Sequence, residues 1–326
     1  VKKKSLFILL MVILAASIIL SLIKGSVTVE LVDLPQIFSA DARGNLAVVR
    51  DIRIPRVIIA VLVGANLSVA GVLLQAVMRN PLADPGITGI SSGASATVMC
   101  AMLYFPGLSY LIPIIGFAGS AAACSLVYLL AWKKGITAIR IVLAGVAVNA
   151  VLGGFTGLMS ILNSEKLGGV LSWLNGSLSG NSWQNVTSLS MYSAVGLILA
   201  FLLFKNCNLL ALGDKSAKSL GLNPNMQRLI ISGVAVFLAG ISTSFAGVIS
   251  FVGLVIPHIS RMLVGSNHKV LIPFSAFMGA SVLLLSDTFG RNVVSPYEIP
   301  VGIIMSLAGG PFFLYLLRKG SQSYGS

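Results

Sequence analysis

Apolar residues arrive in long blocks separated by short polar punctuation. Reading block by block gives apolar runs at about 5–24, 54–78, 86–105, 113–132, 138–160, 188–205, 226–249, 251–264, 270–287 and 300–317. An α-helix rises ~1.5 Å per residue, so roughly 20 apolar residues cross the hydrocarbon core of a bilayer. The pattern predicts an all-α polytopic membrane protein with about ten transmembrane helices. Two runs are weak: 86–105 is rich in Gly, Ser and Ala, and 251–264 is short and holds Pro257, His258 and Arg261. Nine spans is therefore the competing count. The opening VKKKSLFILLMVILAASIIL looks like a signal peptide, but its apolar part, Leu6 to Ile23, is longer than the usual core of one and no cleavage site is clear. It is read as the first span.

Charge arbitrates between the two counts, because Lys and Arg are retained on the cytoplasmic side of membrane proteins. With ten spans and an internal N-terminus, fifteen of the 22 basic residues fall at inner ends and seven at outer ends. The acids fall the other way, with only Asp84 and Asp214 inside. The whole net charge of +13 then lies on the inner face, and both termini are cytoplasmic.

Composition agrees: 56% of the chain is hydrophobic and only 10% charged, which no water-soluble core requires. The basic residues stand as ones and twos at the ends of apolar runs, so the positive charge marks topology and membrane lipid rather than nucleic acid. Cys100, Cys124 and Cys207 show neither pairing nor metal spacing and read as small packing residues. No cofactor is expected.

LVGANLSVAGV (62–72) and LAGISTSFAGV (238–248) superpose without gaps at Leu, Gly, Ser, Ala, Gly and Val, and the same offset carries Pro81 onto Pro257. The two segments run in opposite directions across the membrane, which suggests an inverted repeat of the kind common in transporters. Small residues on one helix face would also produce such a match through packing alone.

The chain carries little chemistry. Every acid lies at a helix end or in a loop, whereas ion-coupled carriers place ionisable groups near mid-membrane. The mid-helix polar residues Asn66, Gln75 and Asn149 read as glue between helices. No Gly-Lys dipeptide of a Walker A loop occurs, so ATP hydrolysis is not expected of this chain. The only histidines, His258 and His268, have no acid or Cys partner at catalytic or metal spacing, and His258 reads as a hydrogen-bonded structural residue. A pathway without an engine implies that energy comes from a partner.

LLALGDKSAKSLGLN (209–223) is the polar exception. Asp214 is placed to cap a short helix and Gly221 to end it in the left-handed conformation. Leu209, Leu210, Leu212, Leu220 and Leu222 are too many apolar residues for a loop that faces only water. A docking surface would use both the cap and the leucines.

From RIPR (53–56) to GGPFFLYLL near the end, the chain resembles the FecCD and BtuC type permease subunits of bacterial ABC importers for iron-siderophore complexes, haem and cobalamin. The most specific pieces are RNPLADP (79–85), SFVGLVIPHISR (250–261), SDTFGR (286–291) and EIPVGI (298–303). The resemblance implies a type II ABC importer permease fold in one transmembrane domain, 1–326, with inverted halves at 54–160 and 226–318. It implies a multi-pass protein of the bacterial cytoplasmic membrane that pairs with a second permease subunit, identical or related. Two cytoplasmic ABC ATPases and an extracytoplasmic substrate-binding protein are the other partners.

By the same resemblance, segment 206–225 is the coupling element, with Asp214, Lys215, Ala217, Leu220 and Gly221 as its residues. Asn80, Leu82 and Thr137 are expected at a cytoplasmic gate. Arg53, Arg56 and Arg291 are expected to dock the binding protein, with lipid-headgroup anchoring as the plain alternative. The spans at 138–160 and 300–317 are expected to line the pathway and the subunit interface, and Trp173 and Trp183 to mark a lip of the outer opening. An iron chelate, siderophore or haem, is the expected cargo; cobalamin, or a secondary carrier driven by an ion gradient, is the alternative.

Overall fold

A computed structural model describes residues 2–25, 44–132, 137–294 and 296–321. Arg43, Lys133 and Lys134 of the charge tally, with Glu30, Asp33 and Asp41, lie outside the described residues. The described residues form helices and connecting turns, with no strand among them.

The helices are α1 (Lys2–Ile23), α2 (Asn45–Val48), α3 (Ile54–Met78), α4 (Ile90–Tyr104), α5 (Ile112–Ala131), α6 (Ala138–Leu162) and α7 (Leu167–Leu174). They continue with α8 (Trp183–Leu202), α9 (Phe204–Ala211), α10 (Asp214–Ser219), α11 (Pro224–Ala246), α12 (Val252–Val264), α13 (His268–Asn292) and α14 (Val301–Ser321). A π-helical turn over Val49–Arg53 joins α2 to α3. Each of the ten apolar runs carries a helix. Seven helical stretches are long and apolar enough to cross a membrane; α4, α12 and the apolar part of α14 (Val301–Tyr315) are shorter.

The core is built around α3, in which 21 of 25 residues are buried. A helix that is apolar on every side fits only where protein surrounds it. It packs most extensively on α13 and also meets α11, α12 and α8. Close approach has a specific cause: a Cβ on Gly64 would collide with the Gly279 carbonyl, and one on Gly279 with that of Gly64. Beside this crossing, the Ser68 hydroxyl donates to the Ser275 carbonyl at 2.7 Å. Asn66 Nδ2 donates to Ser193 Oγ at 2.7 Å and so ties α3 to α8, as expected of interhelical glue.

Three expectations change. The run ending at 287 is a helix that continues to Asn292, so Asp287 lies inside a helix and not at its end. The reason is pairing: Arg56 and Arg291 neutralise the carboxylate, and the helix has no need to stop there. The gapless repeat breaks beyond the helix, since Pro81 sits in a turn after α3 whereas Pro257 lies within α12. The connection from α3 to α4 is much longer than that from α11 to α12, and a fixed offset cannot follow both. Finally, His258 Nδ1 is buried with no hydrogen-bond partner among the described residues, so the expected structural hydrogen bond is not there at this nitrogen.

Candidate functional site

One end of the bundle gathers the C-terminus of α3, α9, α10 and the start of α11. α10 begins after Gly213, whose φ of 99° suits glycine. The expected side-chain cap by Asp214 does not form, because Asp214 is the first helical residue and its carboxylate turns to two arginines. Arg228 Nη2 donates to Asp214 Oδ1 at 2.7 Å and Arg228 Nη1 to Oδ2 at 3.2 Å, a two-point fork of the kind arginine forms with carboxylates. Arg79 Nη2 stands 3.8 Å from Asp214 Oδ1.

The helix closes as expected at Gly221, with φ of 82°. The Gly221 amide donates to the Lys218 carbonyl and the Leu222 amide to that of Ala217, at 2.9 and 3.0 Å, a closing pattern that satisfies carbonyls at a helix end. Ala217 is fully buried and seats α10 on the bundle. The five leucines divide: Leu210 is buried, Leu209 and Leu222 are half-buried, and Leu212 and Leu220 stand 61% and 60% exposed. Lys215 and Lys218 are exposed beside them. The result is a small, rigid platform with two leucines and two cations facing outward.

The turn after α3 lies next to this platform. Arg79 caps α3 in the left-handed region, φ 47°, which is uncommon for a residue other than glycine. Asn80 and Pro81 are exposed and Leu82 is half-buried; Asn80 Oδ1 accepts from the Leu82 amide at 2.9 Å and holds the turn. The chain then runs back into the bundle. Asp84 accepts from the Gly86 amide at 2.7 Å, and Pro85–Thr88 forms one 3₁₀ turn before α4. Burial pushes the Asp84 carboxyl above its ordinary value, offset in part by the Gly86 amide. A cavity of about 80 Å³ adjoins this carboxylate, with Leu67, Ser91, Thr243 and Ser250 among its walls.

Thr137, the third gate candidate, precedes α6 and is exposed. The hold of α6 on the turn comes from residues two and three turns further along. Gly145 faces the Ile87 carbonyl with no room for a Cβ, and Asn149 Nδ2 donates to the Gly86 carbonyl at 3.0 Å while its Oδ1 accepts from Ser92 at 2.6 Å.

The opposite end holds the arginines expected to dock a partner. They are internal: Arg53, Arg56 and Arg291 are 4, 7 and 7% exposed. Arg56 donates from Nε and Nη2 to Asp287 at 2.9 to 3.1 Å and from Nη1 to Glu298 at 2.8 Å. Arg291 lies 3.2 Å from Asp287 and donates to Ser21 Oγ at 2.6 Å. Arg53 donates to the Leu22 carbonyl at 2.9 Å, at the end of α1. The docking expectation is corrected accordingly, because these charges clamp α1, α3, α13 and the approach to α14 and are not presented to solvent. Asp287 and Glu298 were missed by sequence reasoning, although SDTFGR places Asp287 and Arg291 one helical turn apart. Arg79 and Arg228 were missed as partners of Asp214, and their separation in sequence gave no signal.

Trp183 Nε1 donates to the Arg50 carbonyl at this same end. A hollow of about 400 Å³ opens nearby, walled by Tyr110, Ser172, Trp173, Asn181 and Asn185 among uncharged neighbours.

The profile of the FecCD transport family matches residues 13–319. The chain belongs to the FecCD transport family. Across 97% of its length and 95% of the relative's it is 40% identical to the Fe(3+)-citrate import system permease protein YfmD of Bacillus subtilis. Across 99% and 98% it is 38% identical to the "Probable heme-iron transport system permease protein IsdF" of Staphylococcus aureus. A solved structure described as an inward-facing, metal-chelate type ABC transporter superposes with a TM-score of 0.84 at 30% identity, covering 97% of this chain and 99% of that one. The fold is that of an ABC permease, and this FecCD chain is an integral membrane transport protein.

Proposed function

We propose that this FecCD chain is the permease subunit of an ATP-driven importer that carries an iron chelate, a ferric siderophore or haem, across the bacterial cytoplasmic membrane. It pairs with a second permease subunit, and two cytoplasmic ATPases drive the pair. A substrate-binding protein delivers cargo at the end that holds Trp173 and Trp183, above the buried clamp of Arg53, Arg56 and Arg291. The Asp214 end faces the cytoplasm, as does each terminus, which accords with the excess of Lys and Arg there. The iron cargo named for the relatives favours iron over cobalamin.

The observation that carries this reading is the α10 platform. Leu212 and Leu220 stand exposed on either side of a short helix that is seated by Ala217 and closed by Gly221, at an end where neighbouring cations mark water rather than lipid. Exposed leucines flanking a short polar helix fit a cleft of a soluble partner. ATP-driven movement of that partner pushes α10 and, through it, the turn that bears Asn80 and Leu82, with Thr137 at the neighbouring helix start. No residue of this chain hydrolyses ATP in this scheme.

The test is uptake of ferric citrate or haem into proteoliposomes holding the permease, its ATPase and its binding protein. ATP-dependent uptake is expected in the parent, and in Leu220→Asp and Gly221→Pro it is expected to fall at least tenfold with the protein still inserted. Uptake sustained by an ion gradient without the ATPase overturns the proposal.

A further inference from the structure

The carboxylate of Asp214 joins three elements that are remote in sequence. It belongs to the first residue of α10; its strong partner, Arg228, is 6% exposed in the first turns of α11; its weak partner, Arg79, is the residue that ends α3. The two contacts differ in kind. Arg228 makes a two-point fork at 2.7 and 3.2 Å from a buried anchor, whereas Arg79 stands at 3.8 Å with its side chain 45% exposed. The first ties α10 to α11. The second makes or breaks with a displacement of an ångström or so.

Arg79 is also an odd choice for its place. Glycine is the usual residue in the left-handed position after a helix, and Arg79 and Phe251 are the only non-glycine residues with positive φ among the described residues. Its guanidinium lies over Gly213, where a Cβ would come within 3.2 Å of Nη1. The next residues are Asn80, Pro81 and Leu82, so the orientation of Arg79 sets the direction of the turn proposed as a gate. A purely structural cap would gain from glycine; a side chain kept there at conformational cost has a contact to make.

We infer that Asp214 is a positioning residue that links the ATPase-facing helix to the gate turn, with Arg228 as its fixed arm and Arg79 as its switchable arm. Movement of α10 tightens or releases the pair between Asp214 and Arg79, and the backbone of Asn80 and Leu82 follows. The link rests on the coupling and gate roles proposed above.

The experiment uses the full permease with its copurifying ATPase in nanodiscs, with Cys100, Cys124 and Cys207 replaced by Ser and Leu82→Cys as a reporter. The rate of maleimide labelling at position 82 is measured without nucleotide and with ATP and vanadate. The parent is expected to show a roughly two- to fivefold change, the scale of an exposed ion pair acting as a bias on a two-state turn. Arg79→Gly keeps the left-handed cap without strain and removes only the side chain; it is expected to retain the ATPase and lose the nucleotide response. Asp214→Asn is likewise expected to lose the nucleotide response, and Arg79→Lys to restore part of it. A full nucleotide response in Arg79→Gly overturns the link. Retention of the ATPase by Leu220→Asp overturns the docking reading, and the link with it, so the two failures are told apart.

Discussion

Helices α3 and α6 invite comparison, since each has 25 residues, each is mostly apolar and each carries glycines and one central asparagine. In α3, 21 residues are buried; in α6 only Ile141, Gly145 and Val148 are. The glycines divide in the same way. Gly64 and Gly71 meet the backbones of α13 and α12, whereas in α6 only Gly145 makes such an approach and Gly153, Gly154 and Gly157 have open space around them. An apolar membrane helix is equally at home against lipid or protein, because neither contact gains from excluding water. Composition therefore reports that a helix belongs in the membrane and leaves open what covers it. The bare small-residue face of α6 is where the proposed second subunit would pack.

The comparison yields tests of decreasing size. Arg56→Ala, in the first turn of α3, removes the fork to the buried Asp287 carboxylate and the bond to Glu298, leaving Asp287 to Arg291 alone, and is expected to destabilise the subunit by about 2 to 5 kcal/mol; unfolding in detergent, followed by circular dichroism, reads the loss. Gly64→Val forces α3 from α13 and is expected to cost about 1 to 3 kcal/mol, while Gly153→Leu on α6 leaves the melting curve of the isolated subunit in place. If Gly153→Leu instead unfolds the subunit, α6 is not the open face described here; if it only abolishes pairing on size-exclusion chromatography, the comparison is sharpened. Asn66→Ala removes the bond to Ser193, and interhelical hydrogen bonds in membranes average about 0.6 kcal/mol, so a small drop in the same melt is expected. Ile139→Ser, on the 74% exposed start of α6, is expected to change stability by less than about 0.5 kcal/mol.

The two ends of the molecule differ in how far they could be read. At the Asp214 end a short-range rule served for Gly221, which closes α10, whereas Ala217, expected by resemblance alone among the coupling residues, is buried and seats the helix on the bundle. Such rules failed for Asp214 itself, because a carboxylate that has two arginines in reach does not turn back to cap its own helix. At the other end the resemblance alone placed Arg53, Arg56 and Arg291 at a docking surface, and no local signal pointed inward. Asp287 nevertheless draws together Arg56 and Arg291, which are more than 200 residues apart in the chain. Asn80 and Leu82 fall in a turn, as their prolines require, but the return of that turn into the bundle towards Asn149 had no local signal.

By itself the sequence determined that this chain is helical and membrane-embedded, where most of its helices lie, where its short polar helix begins and ends, and which family it resembles. Those features follow from chain length, apolar runs and turn chemistry, all of which act over a few residues or one span. The tertiary structure decided that α3 is enclosed and α6 bare, that three arginines form a clamp, and that Asp214 bridges Arg228 and Arg79. Each of these depends on which helix lies against which, and in a bilayer that choice is made by close backbone approach and buried charge pairing between distant segments, for which hydrophobicity along the chain carries no record.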